Sequence, residues 1–207
     1  PIEPMSNRLI LTASIACLAG LALGAAYLVS TGRSLSGLPT ATTGRALIGG
    51  PFELVDQNNK TVTDADFRGK HMLVYFGFTH CPDFCPAGLQ VISEALEQLG
   101  PMAARYQTLF VTIDPERDTP EVLKIYLDSF HASIHGLSGS AEQVAGAIRA
   151  YRVYARTAYT DEEKVDYTMD HSLFLYLMGP DGAYVRHFNH GITPEKLAAA
   201  LKEKFTG

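Results

Sequence analysis

Cys81 and Cys85 stand in the run Phe-Gly-Phe-Thr-His-Cys-Pro-Asp-Phe-Cys-Pro, residues 76–86. Two thiols four residues apart fall on one face of a segment that winds helically. The apolar run Met72 to Phe78 precedes them, and Leu89, Ile92, Leu96 and Leu99 follow at helical spacing. The pair is therefore expected where a buried strand gives way to a helix. Free N–H groups at a helix N-terminus favour the thiolate, which is both the nucleophile and the soft metal ligand. Pro86 suits the first helical turn, where a missing N–H costs little. The plainer reading is a structural disulfide, which persists in exported domains. A bridge closing so small a loop constrains little chain, however. A working dithiol is the better reading, and alone it leaves redox chemistry and metal binding open.

A third donor separates them. His171 lies in Asp170-His171-Ser172, just ahead of an apolar run. Two thiolates and an imidazole make a soft site suited to Cu(I), and to Cu(II) with a further donor. A closed zinc site would want a fourth protein ligand, and none has clear spacing. Asp114 and Arg117 follow the second buried strand, where sheet ends commonly face a site. Asp114 is a candidate to tune the metal or contact a partner, although the segment to Asp118 could equally shape its own loop. Asp170 is a candidate to orient the loop around His171. His80 adjoins Cys81, but neighbouring side chains diverge. His187 and His190 read as surface residues and His131 and His135 as solvated. Phe78 and Phe84 read either as shields of the dithiol or as core.

The elements that must position these groups alternate strand and helix. Phe52 to Val55 and Lys60 to Val62 flank Asp56-Gln57-Asn58-Asn59 as a hairpin. Met72 to Phe78 and Tyr106 to Ile113 read as strands buried on both faces. Helices are expected from Pro86 to Leu99, after Thr119-Pro120, from Ser140 to Tyr151, and from Thr193-Pro194 to about Lys204. Ser172 to Met178 and Ala183 to Phe188 form a hairpin around Gly179-Pro180-Asp181-Gly182. The order implies an α/β, thioredoxin-like fold: a central mixed β-sheet flanked by helices.

Composition bounds the rest. The chain has 207 residues, 46% hydrophobic and 19% charged, with a formal net charge of −5 and three cysteines. That length buries a core without staples. An acidic balance excludes an ordinary nucleic-acid binder, which would show a basic face. The mean hydropathy of +0.03 is high for so many charges because the apolar content is concentrated. Leu9 to Val29, LILTASIACLAGLALGAAYLV, carries no charge. At 1.5 Å rise per residue it reaches roughly 30 Å, the thickness of a bilayer core. The expected organisation is a tail at 1–8, a transmembrane helix at 9–29, a Ser/Thr/Gly-rich linker at 30–49 and a folded domain at 50–207. Cys17 belongs to the apolar run and is expected to have no redox role. An uncleaved anchor, N-terminus inside, would place the domain on the periplasmic side of a bacterial inner membrane.

These motifs resemble the Sco/SenC family. The resemblance is carried by Phe-Thr-His-Cys-Pro-Asp-Phe-Cys-Pro, Thr-Ile-Asp-Pro-Glu-Arg-Asp-Thr-Pro at 112–120, Asp-Tyr-Thr-Met-Asp-His-Ser at 166–172 and Gly-Pro-Asp-Gly at 179–182. It extends from the apolar run to the last helix. It implies a membrane-anchored, thioredoxin-like copper protein that helps assemble the CuA site of cytochrome c oxidase. By motif, Cys81, Cys85 and His171 are the implied copper ligands. The implied partners are the CuA-bearing oxidase subunit and other copper chaperones or thiol reductants. Some members are implicated in thiol reduction or redox signalling, so a thiol–disulfide oxidoreductase using Cys81 and Cys85 stays open as the alternative.

Overall fold

The computed structural model describes residues 47–159 and 166–205. The apolar run 9–29, its flanking tail and most of the linker lie outside the described residues. Among those described, no helix is long and apolar enough to cross a membrane.

Among the described residues, nine strands and four α-helices follow one another. A hairpin, β1 (Glu53–Asp56) and β2 (Thr61–Thr63), leads to β3 (His71–Gly77) and α1 (Phe84–Leu99). Then come β4 (Tyr106–Thr112), α2 (Pro120–Leu127), β5 (Ile134–Ser138) and α3 (Ala141–Ala150). The chain ends through β6 (Ala155–Tyr159), β7 (Tyr167–His171), β8 (Phe174–Met178), β9 (Tyr184–Asn189) and α4 (Pro194–Lys202). Seven strands form one sheet in the order β2-β1-β5-β4-β3-β8-β9, while β6 and β7 pair only with each other. Strands β3, β4 and β5 run parallel, and β8 lies antiparallel to β3. This is the mixed thioredoxin-like sheet expected from the element order.

Alternation along β3 builds two cores. Met72, Val74 and Phe76 face one side with Leu109 and Val111 of β4 and with Val144 and Ala147 of α3. Leu73 and Tyr75 face the other, against Leu89, Ile92 and Leu96 of α1, Leu123 of α2 and Leu197 and Leu201 of α4. Cover on both faces explains why the central strands read as unbroken apolar runs. The helix starts are specified locally. Thr119, Ser140 and Thr193 each accept a hydrogen bond from a first-turn amide, and proline follows at Pro120 and Pro194.

Besides the β6–β7 ribbon, which the sequence reading did not include, further features differ from it. Helix α1 starts at Phe84, so Cys85 lies inside its first turn. Strand β5 adds a parallel member; its Gly136 breaks the apolar pattern because a Cβ there would stand 2.7 Å from Leu127 and 3.1 Å from Leu123. His135 on β5 is half-buried rather than solvated, with its ring 6.4 Å from that of Phe67.

Candidate metal centre

The end of β3 delivers the first donor and the start of α1 the second. Cys81 N–H donates to the Phe78 carbonyl at 3.3 Å, closing a turn straight after the strand. The Cys85 amide donates to Cys81 Sγ at 3.3 Å. Cys81 sulfur therefore occupies the place of a capping acceptor at the N-terminus of α1, where no side-chain oxygen caps the helix. Both cysteines are free thiols. Cys81 is 8% exposed and Cys85 fully buried, so only Cys81 touches solvent. Gly77 makes the close fit possible, because a Cβ there would stand 3.0 Å from Cys85 Sγ and 2.7 Å from Phe110.

The expected thiolate-favouring effect of the helix N-terminus does not prevail at Cys85. Burial pushes its thiol far up from the ordinary value, and a backbone amide at Phe78 offsets only part of that. Burial therefore favours the neutral thiol at Cys85.

The third donor comes from outside the main sheet. His171 ends β7, one strand of a two-stranded ribbon in which it pairs with Ala155. Its Nε2 lies 3.7 Å from Cys85 Sγ. Its Nδ1 lies 3.0 Å from the Ser172 carbonyl oxygen. A carbonyl only accepts, so Nδ1 carries the proton and the Nε2 lone pair faces the thiol. Burial lowers the His171 pKa, with the Ser172 carbonyl and the charge of Asp170 pulling the other way. The ring also packs edge-on to Phe78, centroids 5.9 Å apart. The structure thus brings Cys81, Cys85 and His171 to one end of the sheet. Among the described residues, no group of three or more His, Cys, Asp or Glu side chains is placed to hold a metal ion. The thiol pair and the imidazole nevertheless stand adjacent. Two sulfurs and one imidazole nitrogen fit a soft ion such as Cu(I).

The other candidates take distinct places. Asp114 is buried, and its carboxylate accepts from Arg117 Nε at 2.5 Å and from the Tyr167 hydroxyl at 3.0 Å. It thus contacts the ribbon that carries His171. Asp170 is exposed on that ribbon, where its charge favours the protonated form of His171. His80 is exposed and its Nδ1 lies 3.1 Å from Thr79 Oγ1. Phe78 is core, whereas Phe84 is 53% exposed and packs edge-on to exposed His190. His187 is likewise exposed, while His131 is partly buried and bonded to Ser133.

Sequence reasoning missed Asp118. This fully buried carboxylate accepts from Thr79 N at 3.0 Å, Thr79 Oγ1 at 2.6 Å and Thr112 Oγ1 at 2.7 Å. It ties the turn before Cys81 to the end of β4, although burial raises its pKa. Its sequence signal was only its place before the Thr119 cap. Tyr167 was missed with the ribbon itself.

The SCO1/SenC family model matches residues 40–206. The chain belongs to the SCO1/SenC family. The bovine protein SCO2 homolog, mitochondrial, is 38% identical over 204 residues, covering 96% of this chain and 75% of its own length. Protein sco1 of Schizosaccharomyces pombe is 42% identical over 163 residues, covering 78% of this chain. The chain matches 62% of that yeast protein's length. Among solved structures, Bradyrhizobium japonicum ScoI with copper bound is similar at TM-score 0.71 and 50% identity, covering 75% of this chain and 98% of the other. SCO1/SenC membership accounts for the motif order, and a copper-bound relative shares the fold.

Proposed function

We propose that this SCO1/SenC protein is a copper-binding metallochaperone that delivers copper to the CuA site of cytochrome c oxidase, or prepares that site's thiols. The observation that carries the reading is the approach of His171 Nε2 to within 3.7 Å of Cys85 Sγ, with Cys81 sulfur at the amide of Cys85. Cys81, Cys85 and His171 would hold the cargo, and copper in the related B. japonicum structure supports the choice of ion. Cys81 borders solvent, so an acceptor thiol reaches the site from its side. Transfer then proceeds by ligand exchange: an incoming thiolate adds as a resident ligand leaves, so the ion is never bare. Oxidation of Cys81 and Cys85 to a disulfide removes two ligands, and binding therefore requires a reductant. Asp114 and Asp170 act around the ligands rather than as ligands. The span at 9–29 would hold the domain at a membrane, on the periplasmic side of a bacterial inner membrane. The partners are the CuA-bearing subunit and the copper donors or thiol reductants that load the site.

The alternative is a thiol–disulfide oxidoreductase, for which the solvent-bordering Cys81 would be the attacking thiol. It predicts that His171 is dispensable. The test incubates the reduced, copper-loaded chain with a copper-free CuA domain whose cysteines are already reduced. Delivery is read after one-electron oxidation of the acceptor with ferricyanide, and the mixed-valence CuA absorption spectrum is expected with wild type and not with His171→Ala. The copper-delivery reading is overturned, and thiol preparation alone is left, if wild type reduces an oxidised CuA domain but passes no copper.

A further inference from the structure

Among the described residues, the ribbon that presents His171 has no backbone pairing to the main sheet. It runs on into β8 at Phe174, and Ala155 and Met169 pack against the core; one polar cluster adds a directional tie to the loop after β4. Arg117, in the loop after β4, donates from Nε to Asp114 at 2.5 Å and from Nη1 to the Tyr167 carbonyl at 2.9 Å. Its guanidinium carbon lies 3.8 Å from the centroid of the Tyr167 ring and 6.0 Å from that of Phe78. The Tyr167 hydroxyl closes the cycle by donating to Asp114 at 3.0 Å. Tyr167 opens β7 and His171 ends it. Arg117 thus grips the far end of the ligand strand, and it also lies against Phe78, the ring that packs on His171.

We propose that Arg117, with Asp114 and Tyr167, is a latch that positions His171 against Cys85. Arg117 is a positioning residue, not a ligand. A planar guanidinium that donates to two different acceptors and stacks on the Tyr167 ring suits the task because it fixes direction as well as charge. The latch joins the seven-stranded sheet, through Asp114, to the ribbon, through Tyr167. The imidazole can then approach the dithiol without a hydrogen bond of its own to the sheet. Slackening the latch would leave a two-thiol site with the imidazole displaced. The inference rests on the reading that Cys81, Cys85 and His171 hold copper.

The test uses the reduced full chain and the variants Arg117→Met and Arg117→Lys. In the copper-free wild type, Phe78 should shift the His171 ring-proton resonances away from those of a free histidine, with assignment by His171→Ala. Arg117→Met is expected to return them toward free values while the thiol count stays unchanged. With copper, it is expected to weaken binding about 10- to 100-fold, the range for residues that orient metal ligands. It should also remove the nitrogen coupling from the Cu(II) paramagnetic resonance spectrum. Adding His171→Ala to Arg117→Met should then cost little more. Arg117→Lys should resemble Arg117→Met, because an ammonium lacks the fork. Wild-type imidazole shifts and nitrogen coupling in either variant would overturn the latch. Should Arg117→Met fail to fold, Tyr167→Ala, at the edge of the ribbon, is read by the same two spectra with the same outcomes. Absence of copper binding in wild type would instead overturn the ligand assignment, and the copper-free spectra would still judge the latch.

Discussion

Gly77 is where fold and site meet most tightly, and Gly77→Ala probes both. An added Cβ would stand 2.7 Å from Phe110 Cε2 and 3.0 Å from Cys85 Sγ. Carbon atoms rest at about 3.5 Å or more, so the ring edge must retreat by roughly 0.8 Å. Phe110 has little room to do so, being fully buried between Tyr75 and Tyr126 at centroid distances of 6.1 and 5.9 Å. Overpacking of this kind costs about 1–3 kcal/mol. For a domain of this size that lowers Tm by roughly 2–12 °C. The sulfur must also shift or rotate away from β3, so copper affinity should fall even though every ligand is retained. Thermal unfolding of the copper-free protein, followed by a Cu(I) competition titration on the same samples, reads both effects. A variant with wild-type Tm and wild-type affinity would refute the argument that Gly77 exists to admit Cys85.

Other outcomes follow from particular groups. Asp118→Ala strands two hydroxyls and an amide that now share one buried carboxylate. It should lower stability by about 2–4 kcal/mol in denaturant unfolding, with Asp118→Asn milder; equal, negligible losses would contradict the assignment. Ser140→Ala removes one half of the capping box of α3 and should cost about 1 kcal/mol without changing copper affinity. For His135, burial lowers the pKa from the ordinary 6.5, so the unfolded chain binds the proton more readily than the folded one. Its stabilising contribution is complete above the unfolded value and is lost as pH falls through the folded one. Replacing it by Gln should flatten the stability-versus-pH curve below about pH 6.5, and an unchanged slope would count against this.

The parts legible in the sequence were those with a local cause. Thr119-Pro120 and Thr193-Pro194 announce helix starts because the capping oxygen and the fixed proline φ act within a few residues. The apolar run into Cys81 announced a buried strand because both sheet faces are covered. Strand β5 was hidden because His135 and Gly136 interrupt its pattern, and Gly136 is explained only by Leu127 from another element. The β6–β7 ribbon was hidden for a related reason. It is partly exposed, and its strands, Ala-Arg-Thr-Ala-Tyr and Tyr-Thr-Met-Asp-His, carry little apolar alternation. The same limit applies at the site. The residue types and order at Cys81, Cys85 and His171 could be read, but not that α1 starts early enough to bury Cys85. Nor could sequence show that Asp114 reaches Tyr167, a contact across 53 residues. Long-range pairings of this kind leave no periodic trace.

The central claim is that two thiols and one imidazole together hold copper. The most direct measurement is X-ray absorption at the copper edge of the reduced chain loaded with Cu(I), for wild type and His171→Ala. The account predicts one copper per chain with a mixed sulfur and nitrogen shell, and loss of the nitrogen contribution together with weaker binding in His171→Ala. An all-sulfur shell in wild type, or the same shell and affinity in both proteins, would contradict it.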